Sequence, residues 1–102
     1  MLHLRYNTET MQKLEEIRSK IDVIDEKMAE LFAERMKLVR EVAEYKRANG
    51  LPIEDKEREE TILKRGAAVF EKVIASEAAK PSREDYLRFQ KAVIQISRDS
   101  QK

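Results

Sequence analysis

Three cations along one apolar stretch are the residues best placed to do chemistry. Arg35 interrupts a seam that reads Leu14, Ile17, Ile21, Ile24, Met28, Leu31, then Leu38, Val42 and Tyr45. Arg18 and Lys46 run beside the seam at sevenfold spacing, together with Asp25, Phe32 and Val39. A guanidinium on a packed face is costly unless something anionic meets it there. On a helix, Arg35 and Lys46 are separated by ~20° of rotation and ~16 Å of rise. They share a face and can reach a ligand held between them. Arg18 lies ~25 Å of rise before Arg35, too far to touch the same small ligand. Further along, Asp55, Arg58 and Glu59 cluster at the start of a second apolar-periodic segment, and Ser97 and Gln101 form a same-face pair near the C-terminus. A pocket built from these groups binds a small dianion and stabilises charge. It has no Ser–His or Cys–His pair, no metal cluster and no Gly-rich phosphate loop. Catalysis in it rests on positioning and electrostatics.

The elements that position these groups are helices. The steps of the first seam alternate three and four, the a/d pattern of a helix packed on other helices. Helix 1 is expected over about residues 8–48, capped by Asn7 or Thr8. Asn49-Gly50 followed by Pro52 stops it. Helix 2 is expected over about 55–76 with Asp55 as N-cap and apolar positions Ile62, Leu63, Val69, Phe70, Val73 and Ile74. Gly66 inside it weakens the helix or marks a close helix contact. Helix 3 is expected over about 82–101. Ser82 with Asp85 resembles a capping box, and Tyr86, Phe89, Val93 and Ile96 make the stripe. Residues 1–10 are an N-terminal tail with no assigned role. The sole histidine, His3, lies in that tail, where neither a metal nor a catalytic role is expected.

Composition agrees. The 102 residues make one domain by length, and 40% charged residues with 6% aromatics, two Gly and two Pro fit a long-helix bundle. No cysteine is present, which removes disulfides, thiolate metal sites and a Cys nucleophile. A net charge of +1 with no polybasic block gives no field for nucleic acid. No apolar run reaches the ~18 residues of a membrane span, and the first residues carry no signal-peptide core. A soluble, cytosolic (cytoplasmic) protein is expected.

Helix 1 at this length is ~60 Å long, whereas a globule of this size has a radius of gyration of only ~13 Å. Two shorter helices cannot wrap it. The expected fold is therefore all-α, with three helices per chain, one very long, forming an intertwined antiparallel homodimer bundle. In such a pair Arg18 of one chain lies opposite the middle of the other. Each of two symmetric pockets then gathers Arg35 and Lys46 from one chain and Arg18 from its partner.

In order and spacing these residues resemble the all-helical (AroQ-type) chorismate mutases. The likeness runs from about Leu14 to Gln101. It rests on Arg18; Asp25-Glu26-Lys27; Ala33-Glu34-Arg35; Lys46; and Pro52-Ile53-Glu54-Asp55-Lys56-Glu57-Arg58-Glu59. The resemblance implies a Claisen rearrangement of chorismate to prephenate, at the branch toward Phe and Tyr. It implies that Arg18 of one subunit and Arg35 of the other clamp the substrate carboxylates, with Arg58 contributing. Lys46 and Gln101 would donate to the ether oxygen, and Glu59 would accept from the ring hydroxyl. Asp55 and Ser97 would contact the polar edge of the substrate or the donors around it. Gln95 or Gln90 takes the place of Gln101 if the helix-3 register is shifted. No cofactor and no metal are implied. The partners implied are the small-molecule substrate, a second copy of the chain, and a larger pathway enzyme to which such a domain is fused or bound.

Two other readings stand beside this one. Isochorismate-pyruvate lyases share the fold and a similar cationic pocket, but their pattern lacks a Glu directly after the helix-2 Arg, so Glu59 favours the mutase. A non-enzymatic helical dimerisation module would instead pair its cations with protein carboxylates and leave no pocket.

Overall fold

A computed structural model describes residues 7–75 and 82–102, and the ordered elements in them are three helices. They are α1 (Thr8–Asn49), α2 (Lys56–Ile74) and α3 (Arg83–Ser100), with no strand among the described residues. The all-α expectation holds, and the helix ends fall close to their sequence signals. The expected end of helix 2 at residue 76 and the first six residues of the tail, His3 included, lie outside the described residues. The chain divides into two compact units, one ending at Lys37 and one beginning at Leu38, so that α1 passes from the first to the second. Each unit is taken by itself.

The first unit is the opening of α1. Asn7 is its cap: the Asn7 Oδ1 accepts from the backbone N–H of Thr10 at 2.8 Å. The seam that begins at Leu14 is half-buried there, and Ile17, Ile21, Ile24, Met28 and Leu31 are exposed, Leu31 by 62%. α1 as a whole contains no buried residue. A stripe of large apolar side chains this long is unusual on the surface of a monomer.

The second unit carries the polar groups. α1 ends in a Schellman arrangement: Gly50 takes φ 65°, and the N–H of Leu51 returns to the Lys46 carbonyl at 2.9 Å. Asp55 then caps α2, accepting from the Arg58 N–H at 3.0 Å. Ser82 and Asp85 form the full capping box of α3.

α2 and α3 pack against each other around Ala67, Ile94 and Ser97, which are buried among the described residues. The small pair Gly66-Ala67 makes a notch in α2 into which Tyr86 of α3 fits. The Tyr86 ring stacks on Phe70 at 5.3 Å and meets Phe89 at 6.3 Å, while its hydroxyl donates to Gln90 Oε1 at 3.2 Å. Gly66 is thus the close helix contact: a Cβ there would sit 2.9 Å from Tyr86 Cζ and closer still to the hydroxyl oxygen. Alanine gains up to ~1 kcal/mol of helix propensity, but overpacking against a ring held on two sides costs ~1–3 kcal/mol. Gly66→Ala is expected to lower stability in urea unfolding by about 1 kcal/mol, and to cost less in a Tyr86→Phe background.

The apolar stripes differ in part from expectation. Val69, Val73, Phe89 and Ile96 are exposed. The face α3 buries carries Ile94 and Ser97, flanked by the half-buried Tyr86, Gln90, Val93 and Gln101. A serine can sit inside because its hydroxyl donates to the Val93 carbonyl at 2.8 Å.

The capping box also makes α3 sensitive to acid. The Asp85 carboxyl is held below its ordinary 3.8, first by the Ser82 backbone N–H, then by Arg88 and the Ser82 hydroxyl. A depressed carboxyl contributes stability above its unfolded pKa and loses it as pH falls through the folded value. Helicity of the wild-type chain is therefore expected to fall on acidification below about pH 4. Asp85→Asn should flatten part of that fall in circular dichroism.

Candidate active site

Within the first unit, Arg18 is exposed and its Nη1 donates to Glu15 Oε1 at 3.2 Å. That is a helical i,i+3 pair in solvent, which holds the guanidinium only weakly. An open apolar furrow on this stretch of α1 is lined by Met11, Leu14, Ile17 and Arg18. Arg35 is half-buried.

Within the second unit, three of the expected site residues come together. Lys46, on the last turns of α1, is half-buried. Its ammonium donates to the Ile53 carbonyl at 2.7 Å and to Gln101 Oε1 at 3.3 Å. Gln101 is the C-cap of α3, and its Nε2 donates to the Ser97 carbonyl at 3.2 Å. Lys46, Gln101 and Ser97 thus form one chain of contacts that joins the end of α1 to the end of α3. The loop between α1 and α2 supplies the Ile53 carbonyl that fixes the ammonium. An ammonium has three donors, and two are used by these oxygens. Among the described residues no carboxylate pairs with Lys46, so its charge faces neutral dipoles.

The start of α2 brings the other groups. Asp55 is occupied as the cap, and the side chains of Asp55 and Arg58 are exposed. Among the described residues the Arg58 guanidinium has no ion pair. Glu59 is half-buried and meets a residue that the sequence reading passed over, Arg98 of α3. Arg98 Nε donates to Glu59 Oε2 at 3.2 Å, and Nη2 donates to Oε1. These bonds push the guanidinium above its ordinary pKa, against the partial loss of solvent.

The alternative glutamines are committed elsewhere. Gln95 donates to Asp99 Oδ1 at 3.0 Å and accepts from Arg98 Nη1 at 3.1 Å. Gln90 accepts from Tyr86. Gln101 is the one that meets Lys46. Among the described residues no group of three or more Asp, Glu, His or Cys is placed to hold a metal. No helix there is long and apolar enough to cross a membrane.

Comparison with known proteins bears on the family of the chain. The family model described as chorismate mutase type II matches residues 17–102. A chorismate mutase of Methanocaldococcus jannaschii is 53% identical over 55 residues, which cover 54% of this chain and 56% of that one. The T-protein of Haemophilus influenzae is 43% identical over 53 residues, 52% of this chain and 14% of its own. A bifunctional chorismate mutase/prephenate dehydratase of Aquifex aeolicus is 40% identical over 72 residues, 67% of this chain and 20% of its own. The chain therefore spans less than two thirds of the length of each. No solved structure matches it.

Proposed function

The chain belongs to the chorismate mutase type II family, and we propose that it rearranges chorismate to prephenate. In that reaction the ether C–O bond breaks as a C–C bond forms within one molecule, and no proton or electron is exchanged with the protein. The protein must hold the compact conformer and stabilise the negative charge that gathers on the ether oxygen.

The observation that carries the reading is Lys46. Its ammonium is held by the Ile53 carbonyl and by Gln101 Oε1, and among the described residues no carboxylate pairs with it. Such an ammonium has a third donor for an incoming anion. In the proposed site Lys46 and Gln101 donate to the ether oxygen. Arg35, Arg58 and the Arg18 of a second subunit clamp the two carboxylates through bidentate pairs. Glu59 accepts from the ring hydroxyl, and Asp55 and Ser97 border the polar edge. Glu59 directly after Arg58 supports the mutase over the lyase.

The exposed seam of α1 supports an intertwined antiparallel homodimer, in which that seam is covered and Arg18 crosses to the partner's site. The same unit fused to, or working with, a larger pathway enzyme is supported by the bifunctional chorismate mutase/prephenate dehydratase of Aquifex aeolicus. The test is chorismate disappearance followed by ultraviolet absorbance, with prephenate identified as product, in wild type beside Lys46→Ala. No conversion at micromolar enzyme overturns the reading.

A further inference from the structure

The Glu59–Arg98 pair is built more tightly than a surface ion pair needs to be. Both carboxylate oxygens are engaged, one by Nε and the other by Nη2, which is the fork geometry that fixes a carboxylate in its plane. The far side of the guanidinium is fixed as well, since Nη1 donates to Gln95 Oε1 at 3.1 Å. Gln95 is in turn held by Asp99, and Asp99 by Lys102 at 3.2 Å. The pair joins α2 to α3 and retains 26% exposure at Arg98 and 21% at Glu59. A bidentate pair this shielded from solvent is held more firmly than an exposed ion pair. It also removes the rotational freedom of a glutamate that has three side-chain torsions.

An ionised carboxylate has about four acceptor positions, and the fork uses two of them. Two remain on the edge turned from the guanidinium. Resting on the mutase reading above, we propose that Arg98 is a positioning residue for the reaction: it holds Glu59 in the one orientation that presents its remaining lone pairs to the ring hydroxyl of the substrate. Arg98 touches no reacting atom. It acts through Glu59 alone, so its effect vanishes when Glu59 can no longer respond.

The hydroxyl contact exists in the ground state and the transition state alike, so its loss falls on KM. Arg98→Ala and Arg98→Gln are expected to raise KM about tenfold or more, with kcat held within about threefold, as misplacement of a binding group does. Arg98→Lys keeps the charge without the fork and should recover part of the loss. In a Glu59→Gln background the Arg98 substitutions should have no further effect on kcat/KM. Should Arg98→Ala fail to fold, Arg98→Gln and Arg98→Lys are read in the same way.

Three results overturn the proposal in an active wild-type background. One is kcat/KM within about twofold of wild type in the folded variants, which leaves Arg98 a structural link only. Another is an equal loss with and without Glu59. The last is faster turnover in Arg98→Ala, which makes the pair a latch on Glu59. A wild-type chain that leaves chorismate unchanged overturns the mutase reading and this proposal with it, and is told apart by the wild-type assay alone.

Discussion

Lys46→Ala should lower kcat by about 10²–10³, with KM changed far less. A donor aimed at a developing oxyanion contributes about 2.7–4 kcal/mol, and only after the bond has begun to break. The structure makes the variant a clean test. Lys46 donates to the Ile53 carbonyl and to Gln101 Oε1. Ile53 is exposed and Gln101 half-buried, so water can replace the ammonium at both oxygens. The fold should therefore survive, and thermal unfolding by circular dichroism should shift little. A folded Lys46→Ala enzyme that retains more than about a tenth of wild-type kcat would remove Lys46 from the ether oxygen. Gln101→Ala is then the next donor to test, because the two groups meet across the end of the bundle. A fall in KM alongside kcat would point instead to strain in the bound substrate.

Local signals along the sequence were enough to read the helices. Asn7, Asp55 and Ser82–Asp85 cap because each offers an oxygen to N–H groups a turn ahead, and that need is satisfied within four residues. Gly50 ends α1 because its φ of 65° is open to glycine at no steric cost. Gly66 was legible only as an ambiguity. Its meaning depends on Tyr86, which comes from another helix, and no local rule couples the two.

The site was legible in its cations and less so in their partners. The contact of Lys46 with Gln101 follows from the α1 and α3 ends meeting, and the spacing of Ser97 and Gln101 put both on one face in advance. Burial of Ser97 was not foreseen, since a hydroxyl that donates to its own helix loses its polar character only in the folded context. Arg98 was missed for a related reason. Between Ser97 and Asp99 it reads as a solvated charge, and the face it takes is set by Glu59, thirty-nine positions away. The available signal was its position four residues after Ile94, at the margin of the buried face.

Mixing two inactive variants should restore activity. Arg18 falls ~25 Å of helical rise before Arg35, so one helix cannot bring both to the same small substrate. On the proposed dimer each site takes Arg18 from one subunit and Arg35 and Lys46 from the other. Arg18→Ala and Lys46→Ala homodimers each lack one cation in both sites. When the two variants are unfolded together and refolded at equal amounts, half the dimers are mixed. A mixed dimer holds one site missing both cations and one site missing neither. Recovery of about a quarter of wild-type activity is therefore expected, against near-zero activity in either variant refolded alone. A site confined to one chain gives a different answer, because every chain in the mixture still lacks one of its own cations. No recovery, with mixed dimers shown by native mass spectrometry, would place Arg18 outside the partner's site. It would also leave the exposed Ile17, Ile21, Ile24, Met28 and Leu31 as a packing seam with no part in substrate binding. Recovery near a quarter ties the length of α1 to the chemistry. The helix is then long because one cation of each site must be delivered from the other chain.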